Sequence, residues 1–291
     1  MRSISTRRLV VALVGAATVR AAVAQTQPTP IPPPRTPPSS APRATAPPAS
    51  TATPSAQAKS DGKALLARIV QAYGGKERVA GVHDLRTRGE VSAKTPQGDM
   101  NMELQSFIVF PDRISQQVDA PFGRVVMVAT PGSAFVAGPA GSQDLPDSMR
   151  NELIRQVQRI PIFLAQKADD PSLAVWASGG EKVGDVETKV VEVRYNTVAV
   201  RWFVDPKTGR ILRAAHTATT PQGEASIVAD YSDFKPVDGF PVAFHMEVTT
   251  NGEKDQILTL EECKINAGVE PKLFEKPPAA TPAPVQTPAP E

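Results

Sequence analysis

The feature that most constrains the fold is the stretch from Gly98 to Arg113, in which apolar residues recur at every second position. This period of two is that of a β-strand, because successive side chains of a strand point to opposite faces. Ser106 is the single polar residue in the apolar series. At about 3.3 Å per residue, the eleven residues from 100 to 110 span roughly 36 Å, about twice the usual strand length, which predicts a large curved sheet. The apolar series is Met100, Met102, Leu104, Ile108 and Phe110.

Alternating segments separated by turn residues continue after this stretch. Asp205–Gly209 separates two such segments, and Asn251-Gly252 is typical of a type I′ hairpin turn. The tetrapeptide Thr-Pro-Gln-Gly occurs at 95–98 and again at 220–223, which we interpret as reuse of a hairpin turn. The pattern predicts a mainly β (α+β) fold with about ten or eleven antiparallel strands.

Two segments have helical periodicity instead. The first follows a cap at Ser60 or Asp61 and stops at Gly74-Gly75, with residues 76–80 adding a further turn. The second places apolar residues three or four positions apart on one face, and Pro161 should break it after Ile160. Two interpretations of this second segment stay open, a core helix packed on the sheet and a lid over a cavity. Its apolar face is Met149, Leu153, Val157, Ile160 and Leu164.

Composition divides the chain into four parts. Residues 1–24 resemble a secretory signal peptide with an arginine-containing start, a short apolar run and Ala22-Val23-Ala24, which fits Sec or Tat export. Residues 25–58 and 277–291 are rich in Pro, Ala and Thr and are predicted to be disordered. A single domain is expected at 59–276. Removing the four arginines of residues 1–24, which include no acid, changes the formal charge from +2 to about −2.

Several classes of function lack a sequence signal. Without residues 1–24 the chain has no excess of basic residues, so no nucleic-acid partner is expected. The apolar run of residues 9–14 is too short to span a bilayer. Cys263 is the single cysteine, which excludes an internal disulfide. The three histidines have no partner at metal-ligand spacing, and no nucleophile or phosphate-loop motif occurs. We therefore predict no catalytic residues, no metal and no cofactor.

The order of the turn motifs resembles that of the LolA/LolB-like periplasmic lipoprotein carriers and outer-membrane lipoprotein-sorting proteins. The resemblance extends over nearly all of residues 61–277. It implies an unclosed antiparallel half-barrel with an N-terminal helix and a helical lid. The matching segments are Tyr73-Gly74-Gly75, Phe110-Pro111-Asp112-Arg113, Val128-Ala129-Thr130-Pro131-Gly132, Val204-Asp205-Pro206-Lys207-Thr208-Gly209, Tyr231-Ser232-Asp233-Phe234, Pro236-Val237-Asp238-Gly239 and Lys272-Leu273-Phe274-Glu275-Lys276-Pro277.

The resemblance also implies a hydrophobic cavity for acyl chains. Two departures from the family pattern matter: Phe110 stands where the carriers have an arginine that helps to latch the lid, and the residue directly after the predicted cleavage site is Gln25 and not a cysteine that could carry a lipid anchor. The candidate cavity residues are Met100, Met102, Leu104, Ile108, Phe110, Met127, Met149, Leu153, Val157, Val200, Trp202, Phe244 and Met246.

The expected function is non-enzymatic binding, in the periplasm or another exported location, of a lipid or of the acyl chains of a lipoprotein. Such binding could serve outer-membrane lipoprotein sorting. The alternative is an interaction or sensor domain whose half-barrel is filled by its own side chains. Its partner would be an envelope protein. In one form of this alternative, the domain is an accessory subunit of a peptidase.

Overall fold

The computed structural model describes residues 53–95 and 98–277. The predicted signal peptide lies outside these residues, as do most of the predicted linker and C-terminal tail. The described residues form one antiparallel sheet with helices packed against it. None of these helices is long and apolar enough to cross a membrane. The helices are α1 (Ala56–Ala72), α2 (Lys76–Ala80), α3 (Asp147–Gln158) and α4 (Pro161–Gln166), followed near the end by a 3₁₀ helix (Pro271–Phe274).

Helix α1 begins earlier than the sequence predicts. Its N-cap is Ser55, whose hydroxyl accepts a 3.1 Å hydrogen bond from the backbone N–H of Ala58. The prediction of a cap at Ser60 or Asp61 is wrong, since both residues lie inside the helix. The error arises because residues 56–60 are mostly exposed and add nothing to the apolar stripe by which the helix was recognised.

The sheet contains 13 strands, all paired antiparallel and not closed into a barrel. They are β1 (Asp84–Thr95), β2 (Gly98–Val109), β3 (Arg113–Ala120), β4 (Gly123–Ala129), β5 (Ala134–Gly138), β6 (Gly141–Asp144), β7 (Leu173–Val183), β8 (Val186–Tyr195), β9 (Val198–Val204), β10 (Ile211–Thr220), β11 (Gly223–Val237), β12 (Phe240–Thr250) and β13 (Glu253–Ile265). The number exceeds the predicted ten or eleven. One strand that the pattern did not indicate is β6, because all four of its residues are exposed and none is a large apolar residue.

The strand order is β6-β5-β4-β3-β2-β1-β13-β12-β11-β10-β9-β8-β7. The chain starts near the middle of the sheet at β1, proceeds to the edge strand β6, and crosses through α3 and α4 to the opposite edge strand β7. It then returns strand by strand until β13 pairs with β1. The single long crossover therefore carries both helices across the sheet.

The sheet curves around these helices. Helix α3 contacts β3 and β10, which are separated in the sheet by five other strands. Contact with both is possible because the sheet bends into an open half-barrel, and α3 lies over its concave face. This architecture confirms the predicted fold class. Helix α3 lies in the crossover between β6 and β7 and covers the concave face, so it is the helical lid of the half-barrel.

Helix α1 covers a different part of the concave face, over β7 and β8. A Cβ atom at Gly62 would lie 2.4 Å from the Cα of Trp176 in β7, so this close approach requires glycine. The main hydrophobic core lies under α1, α2 and α4. It includes the fully buried side chains Ile69, Leu164, Val191, Val193 and Trp202.

Candidate functional site

A cavity of about 350 Å³ lies between α3 and the concave face of the sheet. Its size is within the range of about 300–1,000 Å³ that small-molecule sites occupy. Strands β1 to β4 contribute one wall, β10 to β13 contribute the other, and α3 with the start of α4 provides the cover. The cavity is thus located where the half-barrel is not filled by α1.

Small side chains account for the open space. On the β10–β12 side, the wall is a separate apolar cluster built largely from alanines and short side chains. On the other side, Ile108, Met127 and Leu153 belong to the main core. Since Ala218 and Ala229 stand where larger residues would meet the lid, the two clusters leave a gap between them.

The sequence of α3 directs one apolar face into this gap. Met149, Leu153 and Val157 are spaced four residues apart, so they lie on one side of the helix, and all three are buried. The predicted break at Pro161 is present, but α3 already ends at Gln158 and Pro161 is the first residue of the separate helix α4.

An arginine-glutamate cluster fastens α3 to β10. The Glu152 carboxylate accepts hydrogen bonds of 3.0 and 2.6 Å from Arg155 Nε and Nη2, and one of 2.6 Å from Arg159 Nη1. Arg155 Nη2 also reaches Thr219 Oγ1 at 3.1 Å, and Arg159 Nη2 donates to the Thr217 carbonyl at 3.2 Å. The cluster therefore ties the lid to the β10 side of the cavity.

Burial changes the ionisation of groups at this end of the cavity. Desolvation acts to raise the pKa of Glu152, but hydrogen bonds from Arg159, Arg155 and the Thr219 backbone outweigh it, and the pKa lies below its usual value. Burial, reinforced by the nearby Arg159, lowers the pKa of His216 to about 3. His216 is consequently a neutral imidazole at physiological pH, able to donate one hydrogen bond and accept another.

Two tyrosines and the cysteine are further cavity residues whose pKa is shifted by burial. Burial raises the pKa of Tyr73, and it raises that of Tyr231 to about 12, with the nearby Asp230 adding to the second effect. Burial raises the pKa of Cys263 to about 11, and Asp238 and Glu262 add to the shift. All three groups are uncharged at neutral pH. Within the described residues, no group of three or more His, Cys, Asp or Glu side chains is placed to hold a metal ion.

Six of the thirteen candidate cavity residues line this cavity, and seven do not. The six are Ile108, Met127, Met149, Leu153, Val157 and Met246. Met102, Val200 and Trp202 are instead buried in the main core, and Met100 and Leu104 pack against it. These five residues lie outside the cavity because alternation along a strand shows which residues share a face, but not which part of that face the helices fill.

Phe110 and Phe244 have other environments. The Phe110 ring stacks on Phe163 of α4, with centroids 6.0 Å apart and planes 12° apart. In β12, Phe244 lies under the Lys235 ammonium group, 4.3 Å from the ring centroid. Asp233, opposite this point, has a φ of 49° that interrupts the alternation of β11. As a result Phe234 and its partner Ala243 line the cavity, and Phe244 does not.

Sequence reasoning missed the polar residues of the site. The sequence pattern does not single out Glu152 or Arg159, and it indicates for His216 only that no metal-ligand partner stands near it in the sequence. Their spacing held one usable signal, because positions 152, 155 and 159 fall on one face of a helix. Gln116 carried no such signal, since a lone glutamine in an alternating strand does not reveal what it faces.

The architecture defines a class of protein, the open antiparallel half-barrel with a helical cover. No protein-family model and no curated protein matches the sequence. Similarity is found among solved structures, and these neighbours include DUF1329 and LolA-superfamily proteins.

Three of these structures show the extent of the similarity. A DUF1329 family protein from Desulfovibrio piger ATCC 29098 is 13% identical, with a TM-score of 0.50, and the match covers 75% of this chain and 98% of that one. An outer membrane lipoprotein-sorting protein domain from Vibrio parahaemolyticus is 15% identical over 74% of this chain and 97% of its own, with a TM-score of 0.47. A LolA superfamily protein from Nitrosomonas europaea is 13% identical over the same shares, 74% and 97%, with a TM-score of 0.48. At these identities the likeness concerns the fold alone.

Proposed function

We propose that this protein is an exported, non-enzymatic binding protein that holds a lipid, or the acyl chain of a lipoprotein, in the cavity under α3. The observation that carries the proposal is the cavity itself, a space of about 350 Å³ under a helix whose apolar face points into it. Three methionines, Met127, Met149 and Met246, line it. Methionine is unbranched and adapts to ligands of irregular shape.

The energetics of this proposal are favourable. Transfer of each acyl CH₂ group from water contributes about 0.8 kcal/mol, so a chain of about ten such groups contributes about 8 kcal/mol before ordering costs. Those costs take up much of this figure for any ligand, and the remainder sets the affinity. The alternative, a half-barrel filled by its own side chains, is less well supported because α3 and the alanine-rich wall leave space between them.

Detergent-free purification of the full-length protein tests the proposal. Native mass spectrometry should show a co-purified lipid, and the delipidated protein should bind a fluorescent fatty-acid probe that unlabelled lipids displace. Absence of both lipid and probe binding would remove the carrier function and favour the filled interaction domain.

A pair of neighbouring substitutions localises the binding. Ala218→Phe places a large ring in the cavity and should weaken probe binding at least tenfold. Thr217→Phe adds the same ring one position earlier, on the exposed opposite face of β10, and should leave binding unchanged. Equal binding by both variants would mean that the ligand lies elsewhere.

A further inference from the structure

A row of polar side chains runs across the sheet at the floor of the cavity, and three of its four members line the cavity. Strand register pairs Cys263 with Thr87, Thr87 with Ser106, and Ser106 with Gln116, across β13, β1, β2 and β3. Directly paired residues of antiparallel strands project from the same face of the sheet. With neighbouring strands about 4.8 Å apart, the row is roughly 14 Å long. Ser106, the single gap in the apolar series of β2, is therefore part of a continuous polar feature.

The row stands out against its surroundings. Three members of the row, Thr87, Gln116 and Cys263, line the cavity, and Ser106 lies between Thr87 and Gln116 without lining it. The other residues through which β1, β2 and β3 line the cavity are Leu85, Ile108 and Ile114, which are all apolar. Two residues of the row are nevertheless well buried, with Ser106 5% and Gln116 7% exposed, while Thr87 and Cys263 are half-buried. Polar side chains at such positions lose their hydrogen bonds to water, so their retention needs a partner.

Gln116 is the member of the row that lacks a partner. Its Oε1 atom is buried and accepts no hydrogen bond within the described part of the chain. The carboxamide presents an acceptor and a donor together, so it pairs best with a ligand group that donates as well as accepts. A second amide or a hydroxyl group meets this requirement, whereas an ester or a bare hydrocarbon supplies no donor.

The lid offers one complementary donor to a neutral ligand. Arg159 Nε has no partner among the described residues, while the two Nη atoms are committed to Glu152 and to the Thr217 carbonyl. Because Glu152 already provides the carboxylate for this guanidinium group, an anionic ligand would have to compete with it. A neutral carbonyl can accept from Nε without breaking the ion pair.

We propose that the polar row selects acyl ligands that carry a neutral amide next to the chain, with Gln116 as the residue that reads the amide N–H. This inference rests on the proposed function and names the ligand class within the same cavity. The acyl chain occupies the apolar space under α3, and the amide lies against Thr87 and Gln116, the members of the row through which β1 and β3 line the cavity.

A pair of ligands that differ by one group tests the selection. N-methyldodecanamide and methyl dodecanoate have the same chain and nearly the same shape, but only the amide has an N–H. Displacement of a fluorescent fatty-acid probe from the full-length protein should give at least tenfold tighter binding for the amide. Dodecanoate should also bind more weakly than the amide.

Substitution of Gln116 identifies the residue responsible. Gln116→Leu approximately conserves the side-chain volume. It should bring the affinities for the amide and the ester within twofold of each other while leaving the affinity for the ester unchanged. Gln116→Met provides a second, unbranched replacement. The matched control is Gln117→Leu, which lies on the opposite face of β3 and should keep the preference. Circular dichroism verifies that each variant is folded.

Each alternative result has a distinct meaning. Equal binding of amide and ester by the unsubstituted protein, tighter binding of dodecanoate, or a preference that survives Gln116→Leu would each overturn amide selection and leave acyl binding intact. Failure of all three ligands to bind would overturn the proposed function as well.

Discussion

Arg159, the C-cap residue of α3, forms an ion pair with Glu152 seven residues earlier, with 2.6 Å between Nη1 and Oε1 and side chains that are only 9% and 11% exposed. The same arginine donates to the backbone of β10 through its other terminal nitrogen. Because the Glu152 carboxylate also binds Arg155, a single acidic group orients two arginines at the edge of the cavity. The position of the lid depends on this group.

Loss of that carboxylate should destabilise the protein. Glu152→Gln leaves two partly buried arginines without their counter-charge, and we expect a loss of about 2–4 kcal/mol in the free energy of unfolding, measured by urea titration. Asp147→Asn, on the same helix, removes a carboxylate that is 81% exposed and paired with Arg150. This control should change stability by less than about 0.5 kcal/mol, and an equal effect of both substitutions would contradict the role assigned to Glu152.

The buried His216 should make stability depend on pH in mildly acidic solution. Its pKa of about 3 in the folded state lies below the value of about 6.5 expected when it is unfolded, so the unfolded state binds more protons between these limits. Stability should therefore fall as pH decreases from about 6.5 towards 3, with a slope approaching roughly 1.4 kcal/mol per pH unit. Urea unfolding of His216→Leu at several pH values should show this dependence reduced.

A control separates this effect from the general loss of stability in acid. His245→Gln alters a partly exposed histidine near Thr259 and should retain the dependence seen in the unsubstituted protein. If His216→Leu and the unsubstituted protein lose stability in parallel, His216 is not the group responsible.

Cys263 should report whether the cavity is occupied. It is the single cysteine of the chain and lines the cavity, and its pKa of about 11 makes the reactive thiolate scarce at neutral pH. Alkylation by iodoacetamide, followed by mass spectrometry, should be slow at pH 7 and faster at pH 9. A saturating lipid should slow the reaction at pH 9 about tenfold, whereas an unchanged rate would place the lipid outside the cavity.

The contact of α1 with the sheet should tolerate no side chain at Gly62. A methyl group there would lie 2.4 Å from a backbone atom of Trp176, which cannot move without displacing β7. Overpacking of this kind costs about 1–3 kcal/mol, and we expect a loss of that size for Gly62→Ala in thermal or urea unfolding. Gly132→Ala is the matched control, since no atom lies within 4 Å of the added methyl group, and it should be nearly neutral.

Local elements follow closely from the sequence. The type I′ turn predicted at Asn251-Gly252 is confirmed by positive φ angles of 52° and 86°, and the strands around 205–209 pair as expected. The periodicity of α3 correctly grouped Met149, Leu153 and Val157, which all line the cavity. In each case the signal lies within about ten neighbouring residues, where side-chain period and turn chemistry act directly.

The location of the cavity along the strands did not follow from the same signals. Met102 and Ile108 share a face of β2, yet Met102 is enclosed in the core and Ile108 lines the cavity. Likewise, Trp202 has the alternation expected of a lining residue but is completely buried in the main core. No local pattern distinguishes these environments, because the difference comes from helices that are distant in sequence.

The alternating stretch that begins at Gly98 was sufficient by itself to determine a long amphipathic strand, and the turn residues determined its antiparallel neighbours. Only the tertiary structure decided that Thr87, Ser106 and Gln116 form one row, since that depends on the register between three strands. It also decided that α3 crosses from β3 to β10 and leaves space beneath it. The physical reason is that side-chain period acts over a few residues, whereas strand register and helix packing are set by contacts between distant parts of the chain.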